Sequence, residues 1–171
     1  MSRREWGPII ASLIAGEALD YDQSYWLMDQ VMNGELGEAR LASFLTAMAI
    51  KGATVEEIHG LADGMQDHAQ RVDLPSRALD IVGTGGDGYK TVNISTMSAI
   101  VLATMGIPLV KHGNRASTSK SGSADVIEAL GVNLDVEVDQ LRSIFDEVGI
   151  AFLFANKMHP SMRFAAPVRR A

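Results

Sequence analysis

Apolar positions in the first 70 residues recur at helical spacing, whereas those of the remainder gather into short runs between polar, glycine-bearing turns. Trp6, Ile9, Ile10, Leu13 and Ile14 predict a first helix, and Leu27, Met28, Val31 and Met32 a second. Asp22 is the expected N-cap of the second, and the "NGELG" segment at 33–37 its end. Leu41, Phe44, Leu45 and Met48 share one face of a third helix over Glu38–Lys51. Thr54 with Glu57 spells a capping box that opens a fourth, expected to run to about Gln70. His59 and His68 read as surface or packing residues, and the methionines at 28, 32, 48 and 65 as core filler. Beyond "RVDLPSR" the period changes. "ALDIV", "IPLVKH" and "IAFLF" predict buried strands, with helices over about 95–105, 123–130, 138–148 and 159–170 between and after them. The expectation is a small all-helical N-terminal domain, residues 1–73, followed by a parallel-sheet α/β domain, residues 74–171. A ligand site in such a sheet belongs at the carboxyl ends of its strands, where the polar loops 83–94 and 112–122 emerge.

Composition narrows the function. Hydrophobic residues make up 47% and charged residues 21% of the chain, an ordinary globular balance. A net charge of −6 argues against nucleic-acid and membrane-surface partners. Cysteine is absent, which removes disulfides and thiolate chemistry and suits a cytoplasmic location. Arg3-Arg4 ahead of Trp6 has the letters of an export signal, but Gly7, Pro8, Ser12 and Glu17 break the apolar segment it would need. The longest nearly apolar run, Ala99–Val110, falls well short of the roughly 20 residues of a membrane span.

Against that acidic background, residues 88–124 contain no Asp or Glu. They carry Lys90, Lys111, His112, Arg115 and Lys120 among many Ser, Thr and Asn residues. Just ahead lies "GTGGDGYKT", residues 83–91, with Gly83, Gly85 and Gly88 at dinucleotide-fingerprint spacing. The acidic ribose ligand that a dinucleotide fold requires further on is missing, and Tyr89 interrupts a P-loop between Gly88 and Lys90. Glycine turns expose backbone N–H groups, helix starts favour anions, and Lys and Arg supply counter-charge. A small polyphosphate is the ligand these residues suit, with Asp87 at the rim towards sugar hydroxyls or a bound cation and Ser95 a possible oxygen ligand for Mg²⁺.

The stretches "DIVGTGGDGYKTVNIST", "KHGNRASTSKSGSADVIEALGVNLD" and "FLFANKMHPSMRFAAPVRR" resemble the anthranilate phosphoribosyltransferase family, and the likeness runs from about Trp6 to the chain end. The resemblance implies a fold of the nucleoside phosphorylase/phosphoribosyltransferase type, of which residues 74–171 are part of a larger α/β domain. It implies transfer of the phosphoribosyl group of phosphoribosyl pyrophosphate (PRPP) to the amine of anthranilate, with Mg²⁺ as cofactor. Donor contacts would come from Gly83, Gly86, Asp87 and Thr91, from Asn93, Ile94, Ser95 and Thr96 around the pyrophosphate, and from Ser123. Lys111, His112, Gly113, Asn114, Arg115, Ala116, Ser117, Thr118 and Ser119 would form the loop over the donor. Anthranilate would meet Gly83, Asn114, His159 and Arg169, and Ser95 would touch the metal. No residue is implicated as a covalent nucleophile. The helices of residues 1–70 would pair two subunits, with Leu41 and Phe44 the positions where added charge is expected to separate them. Members of the family are longer and carry an adjacent Asp-Glu pair for Mg²⁺ that Asp146-Glu147 does not match in position. Asn156 and Met158 also depart from the family's usual residues. The alternative is a non-catalytic piece, a dimerisation module with a partial phosphate site.

Overall fold

The computed structural model describes residues 5–83, 92–116 and 121–170. The chain divides into two compact units, one running to Ala69 and resuming at His159, the other spanning Gln70–Met158.

The first unit holds helices α1 (Trp6–Ile14), α2 (Tyr21–Met32), α3 (Glu38–Lys51) and α4 (Val55–Gln66). The cap of α2 is Asp20, not Asp22. Extended at φ −76° and ψ 171°, Asp20 accepts from the Gln23 N–H at 2.7 Å, and Gln23 Oε1 accepts from the Asp20 N–H at 3.0 Å. Asp22 falls in the first turn, where its charge suits the helix dipole. The Thr54–Glu57 box forms as expected. Helix α4 stops at Gln66, short of the predicted end. Ile9, Leu13, Leu27, Val31, Leu41 and Phe44 make the core, with Ala47 rather than half-exposed Leu45 completing the α3 face.

Ala165 is buried in this same core, and Met162 and Val168 pack against it. The end of the chain thus packs with the helices rather than with the sheet. Its predicted single helix is broken into a 3₁₀ turn over Pro160–Phe164 and helix α9 over Ala166–Arg170. Pro167 explains the break, since it cannot donate to the carbonyl four residues back and its ring crowds that carbonyl, whereas Pro160 stands at the first position of the turn, where no donor is needed.

The second unit is built on a parallel sheet of strands β1 (Leu79–Asp80), β2 (Leu109–Gly113) and β3 (Ile150–Phe154), in that order. Register pairs Leu79 with Leu109 and Leu109 with Ile150. Helix α5 (Ile94–Thr104) links β1 to β2, and helices α6 (Ser123–Ala129) and α7 (Gln140–Val148) link β2 to β3; α8 (Ala155–Met158) follows. Ala124, Ile127 and Leu134 form a buried cluster against Phe152 and Phe154. The "ALDIV" run yields only two paired residues, and just beyond them the Ile81 carbonyl accepts from the Lys111 side chain. No helix among the described residues is long and apolar enough to cross a membrane.

Candidate functional site

Three described features converge at the carboxyl ends of β1 and β2. The chain leaves β1 through Ile81, Val82 and exposed Gly83. Helix α5 begins after Asn93, which makes no side-chain cap, and its first turn contains no acidic residue. α2 and α4 instead start with capping boxes, while at α5 the Ile94 N–H donates to the Val92 carbonyl at 2.8 Å and the Thr96 N–H to that of Asn93 at 3.0 Å. Inside this first turn Thr96 is fully buried, and its Oγ1 finds no hydrogen-bond partner among the described residues. Side-chain hydrogen bonds among the described residues tie the start of α5 to its neighbours. Lys111 Nζ donates to Ser95 Oγ at 3.3 Å and to the Ile81 carbonyl at 2.9 Å, and Asn93 Nδ2 donates to Ser121 Oγ at 3.4 Å.

The loop after β2 is closed at its base by one carboxylate. Asp125 Oδ2 accepts from the Ala116 N–H at 2.9 Å and from the Gly122 N–H at 2.7 Å. These two N–H groups hold the Asp125 carboxyl below the usual range. A side chain at Gly122 would lie 2.5 Å from the Asn114 carbonyl, so only glycine lets the two arms approach. Gly113 is likewise hemmed in, by Ser123 Oγ and by the Phe152 ring at 2.8 Å from any added Cβ. Arg115 donates through both terminal nitrogens to Glu128, one bond at 2.8 Å, and its guanidinium lies 5.5 Å from the centre of the Phe154 ring. The pair pushes Arg115 further up and Glu128 down in pKa.

The predicted residues therefore fall into three groups. Asn93, Ile94, Ser95 and Thr96 open α5; Lys111, His112 and Gly113 end β2; Asn114, Arg115 and Ala116 follow it; and Ser123 starts α6. Asn114 is exposed, its Oδ1 accepting from the Arg115 N–H at 2.8 Å. His159 and Arg169 belong to the helical unit, His159 half-buried ahead of Pro160 and Arg169 exposed on α9. Gly86, Asp87, Thr91, Ser117, Thr118 and Ser119 lie outside the described residues. Asp125 and Glu128 were not singled out by sequence, although the Asp three residues after Gly122 is the N3 position that back-bonds to a helix start. Asp146 of the Asp146-Glu147 pair accepts from Arg142 Nε at 2.7 Å near the end of α7, just ahead of β3 and away from the carboxyl ends of the strands.

Among the described residues no three His, Cys, Asp or Glu side chains gather into a metal site. Ser95 offers a single hydroxyl oxygen, already facing an ammonium. This donor set suits Mg²⁺ only as an ion whose remaining ligands are phosphate oxygens and water.

Residues 75–171 match the family model described as "Glycosyl transferase family, a/b domain", and residues 7–69 match "Glycosyl transferase family, helical bundle domain". An anthranilate phosphoribosyltransferase of Streptomyces griseus subsp. griseus is 48% identical over 170 residues, covering 99% of this chain and 48% of its own length. One from an Arthrobacter species is 52% identical over 165 residues, 96% of this chain and 47% of its own. Among solved structures, the anthranilate phosphoribosyltransferase of Thermus thermophilus aligns with a TM-score of 0.86 at 41% identity, covering 94% of this chain and 49% of that one. The enzyme from Saccharomyces cerevisiae in complex with PRPP and Mg aligns with a TM-score of 0.87 at 29% identity, covering 99% and 51%. The chain spans about half the length of the relatives it matches.

Proposed function

The chain belongs to the glycosyl transferase family defined by that helical bundle and that a/b domain, and from this premise we propose that it carries the donor site of an anthranilate phosphoribosyltransferase. In the reaction the anthranilate nitrogen bonds to the anomeric carbon of PRPP. The bond from that carbon to the pyrophosphate oxygen breaks, pyrophosphate leaves with the electron pair, and the nitrogen gives up a proton. The junction at the ends of β1 and β2 supports this reading most directly. There an uncapped helix start without acidic residues meets Ser95, Lys111, Asn93 and Ser121 in hydrogen-bonding distance. Such a start is a ready anion site.

Asn93, Ile94, Ser95 and Thr96 take the pyrophosphate in this proposal, with Gly83, Gly86, Asp87 and Thr91 around the sugar phosphate. Lys111 through Ser119 and Ser123 complete the donor's surroundings. Anthranilate lies towards Gly83, Asn114, His159 and Arg169, the last pairing with its carboxylate. Mg²⁺, touching Ser95, supplies charge stabilisation for the departing pyrophosphate. Orientation of the two substrates does the rest, and no covalent nucleophile is needed. The helical domain, residues 1–73, pairs two copies, the donor domain spans residues 74–171, and the protein acts in the cytoplasm.

The test is to mix the chain with Mg²⁺, PRPP and anthranilate and follow anthranilate fluorescence, while titrating inorganic pyrophosphate separately by calorimetry. The expected result is turnover that Asn114→Ala reduces by about a hundredfold or more, the scale of losing one well-placed polar contact. Pyrophosphate binding without turnover would instead make the chain a non-catalytic module, and absence of both would overturn the reading.

A further inference from the structure

Asp125 is the first acid after the acid-free interval 88–124, and it stands in the first turn of α6, beside the residues proposed to surround an anion. A carboxylate repels phosphate oxygens, so its charge alone works against such a site. Arg115 cancels that charge only in part, since both terminal nitrogens of its guanidinium go to Glu128 and Asp125 Oδ1 stands 3.8 Å away. What Asp125 does instead is done by one oxygen. Its Oδ2 accepts from the Ala116 N–H at 2.9 Å and from the Gly122 N–H at 2.7 Å. Those two donors, ahead of Arg115, are what hold its carboxyl below the usual range.

The surroundings show what these two bonds join. The Ala124 N–H donates to the Asn114 carbonyl at 3.1 Å, so residues 114–116 lie beside residues 122–124. Gly122 has φ −87° and ψ 172°, a backbone that any residue adopts, yet an added Cβ would lie 2.5 Å from the Asn114 carbonyl oxygen. Glycine is needed here for closeness and not for conformation. Ser121, just before it, accepts from Asn93 Nδ2 at 3.4 Å, which carries the tie across to the start of α5. We propose that Asp125 is a positioning residue of the anion site: touching no ligand, its Oδ2 draws the end of β2 and the start of α6 together and so sets Asn114, Ser123 and Asn93 at one spacing. Asn114 and Ser123 stand on the two arms that this oxygen joins, and Asn93 is reached through Ser121.

This inference rests on the phosphate-site reading, so its test separates the two. Inorganic pyrophosphate, without divalent cations, is titrated by calorimetry into the wild-type chain, Asp125→Ala, Asp125→Asn and Gly122→Ala, each also melted. If charge were all that mattered, removing a carboxylate beside an anion site would tighten binding. Asp125→Ala is instead expected to bind about tenfold more weakly, the scale of losing an outer contact that orients a ligand-holding group. Asp125→Asn keeps an oxygen for both N–H groups and is expected to bind within about threefold of the wild type. Gly122→Ala leaves every charge in place and is expected to weaken binding as Asp125→Ala does, because its methyl group parts the same two arms. Joining the two losses in one chain should cost little more than either, since both act on one spacing. Asp125→Ala at or above wild-type affinity would overturn the inference alone. So would Asp125→Asn binding as weakly as Asp125→Ala, or Gly122→Ala binding as the wild type does. A wild type that does not bind pyrophosphate would overturn the phosphate reading itself, and the inference with it. Should Asp125→Ala fail to fold, Asp125→Asn and Gly122→Ala decide by the same outcomes, each set against the wild type.

Discussion

Glu57 in the helical unit shows what a buried charge looks like when its surroundings satisfy it. Its carboxylate is fully covered and accepts from the Leu19 N–H at 2.9 Å, the Thr54 N–H at 2.8 Å and Lys51 Nζ at 2.8 Å. Burial alone would raise its pKa, but the Lys51 ammonium and the Leu19 and Thr54 N–H groups outweigh it and hold Glu57 below the ordinary glutamate range. A carboxyl depressed in the folded state adds stability that is present above its unfolded pKa and lost as pH falls through the folded value. The wild-type urea midpoint is therefore expected to fall as pH drops below about 4.5, the region where free glutamate protonates. Glu57→Gln is expected to cost about 3 kcal/mol at neutral pH, since it strands Lys51, and to flatten that acid dependence. Parallel pH curves for the two proteins would show that the network contributes nothing specific.

Between elements of the helical unit, α4 packs closely on α2. An added Cβ at Gly60 would sit 2.5 Å from the Tyr21 carbonyl, and one at Gly64 2.9 Å from that of Tyr25. The two glycines are four apart and face α2 together, so α2 lies against the α4 backbone. The rim is tied by Tyr21 Oη to Asp63 at 2.8 Å, Tyr25 Oη to Asp67 at 2.7 Å and His68 Nε2 with Asp29 at 2.8 Å. On an exposed helix Gly→Ala would gain about 1 kcal/mol. Gly60→Ala is instead expected to lose about 2 kcal/mol, because the helices must move apart. An unchanged or higher urea midpoint would show that the contact relaxes freely. None of this approach can be read from periodicity, which reports which face is apolar but not how closely two backbones run. The same limit explains the rest of what sequence left out. The four N-terminal helices were legible because their apolar spacing repeats over several turns, and the three parallel strands because short apolar runs stand between glycine-bearing turns. Lys111 was legible as part of a cationic stretch, but its burial depends on a strand pairing with no local signal. Arg115 looked like a free cation because Glu128, its partner, lies just beyond the acid-free interval.

At the scale of the molecule, the helical unit leaves apolar surface uncovered. A groove of about 560 Å³ is lined by Ile10, Leu13, Ile14, Ala42, Ala47 and Ile50, residues of α1 and α3. Ile14 is 76% and Ile50 83% exposed, which is much apolar surface for one small helical bundle to leave in water. We propose this groove as the apolar area of the pairing of two copies. It also changes which substitutions can test that pairing. Leu41 and Phe44, the positions where, from the resemblance, added charge is expected to separate the subunits, are 5% and 2% exposed and belong to the core. A charge at either would unfold the unit before it could report on association, since a buried unpaired charge costs several kcal/mol. Ile50→Glu places the charge on the surface instead. Sedimentation equilibrium is expected to give twice the chain mass for the wild type and the single-chain mass for Ile50→Glu. Circular dichroism of Ile50→Glu should remain helical, while Phe44→Asp should lose the helical signal. A wild type at single-chain mass, or an Ile50→Glu variant still at twice that mass, would remove this groove as the pairing surface.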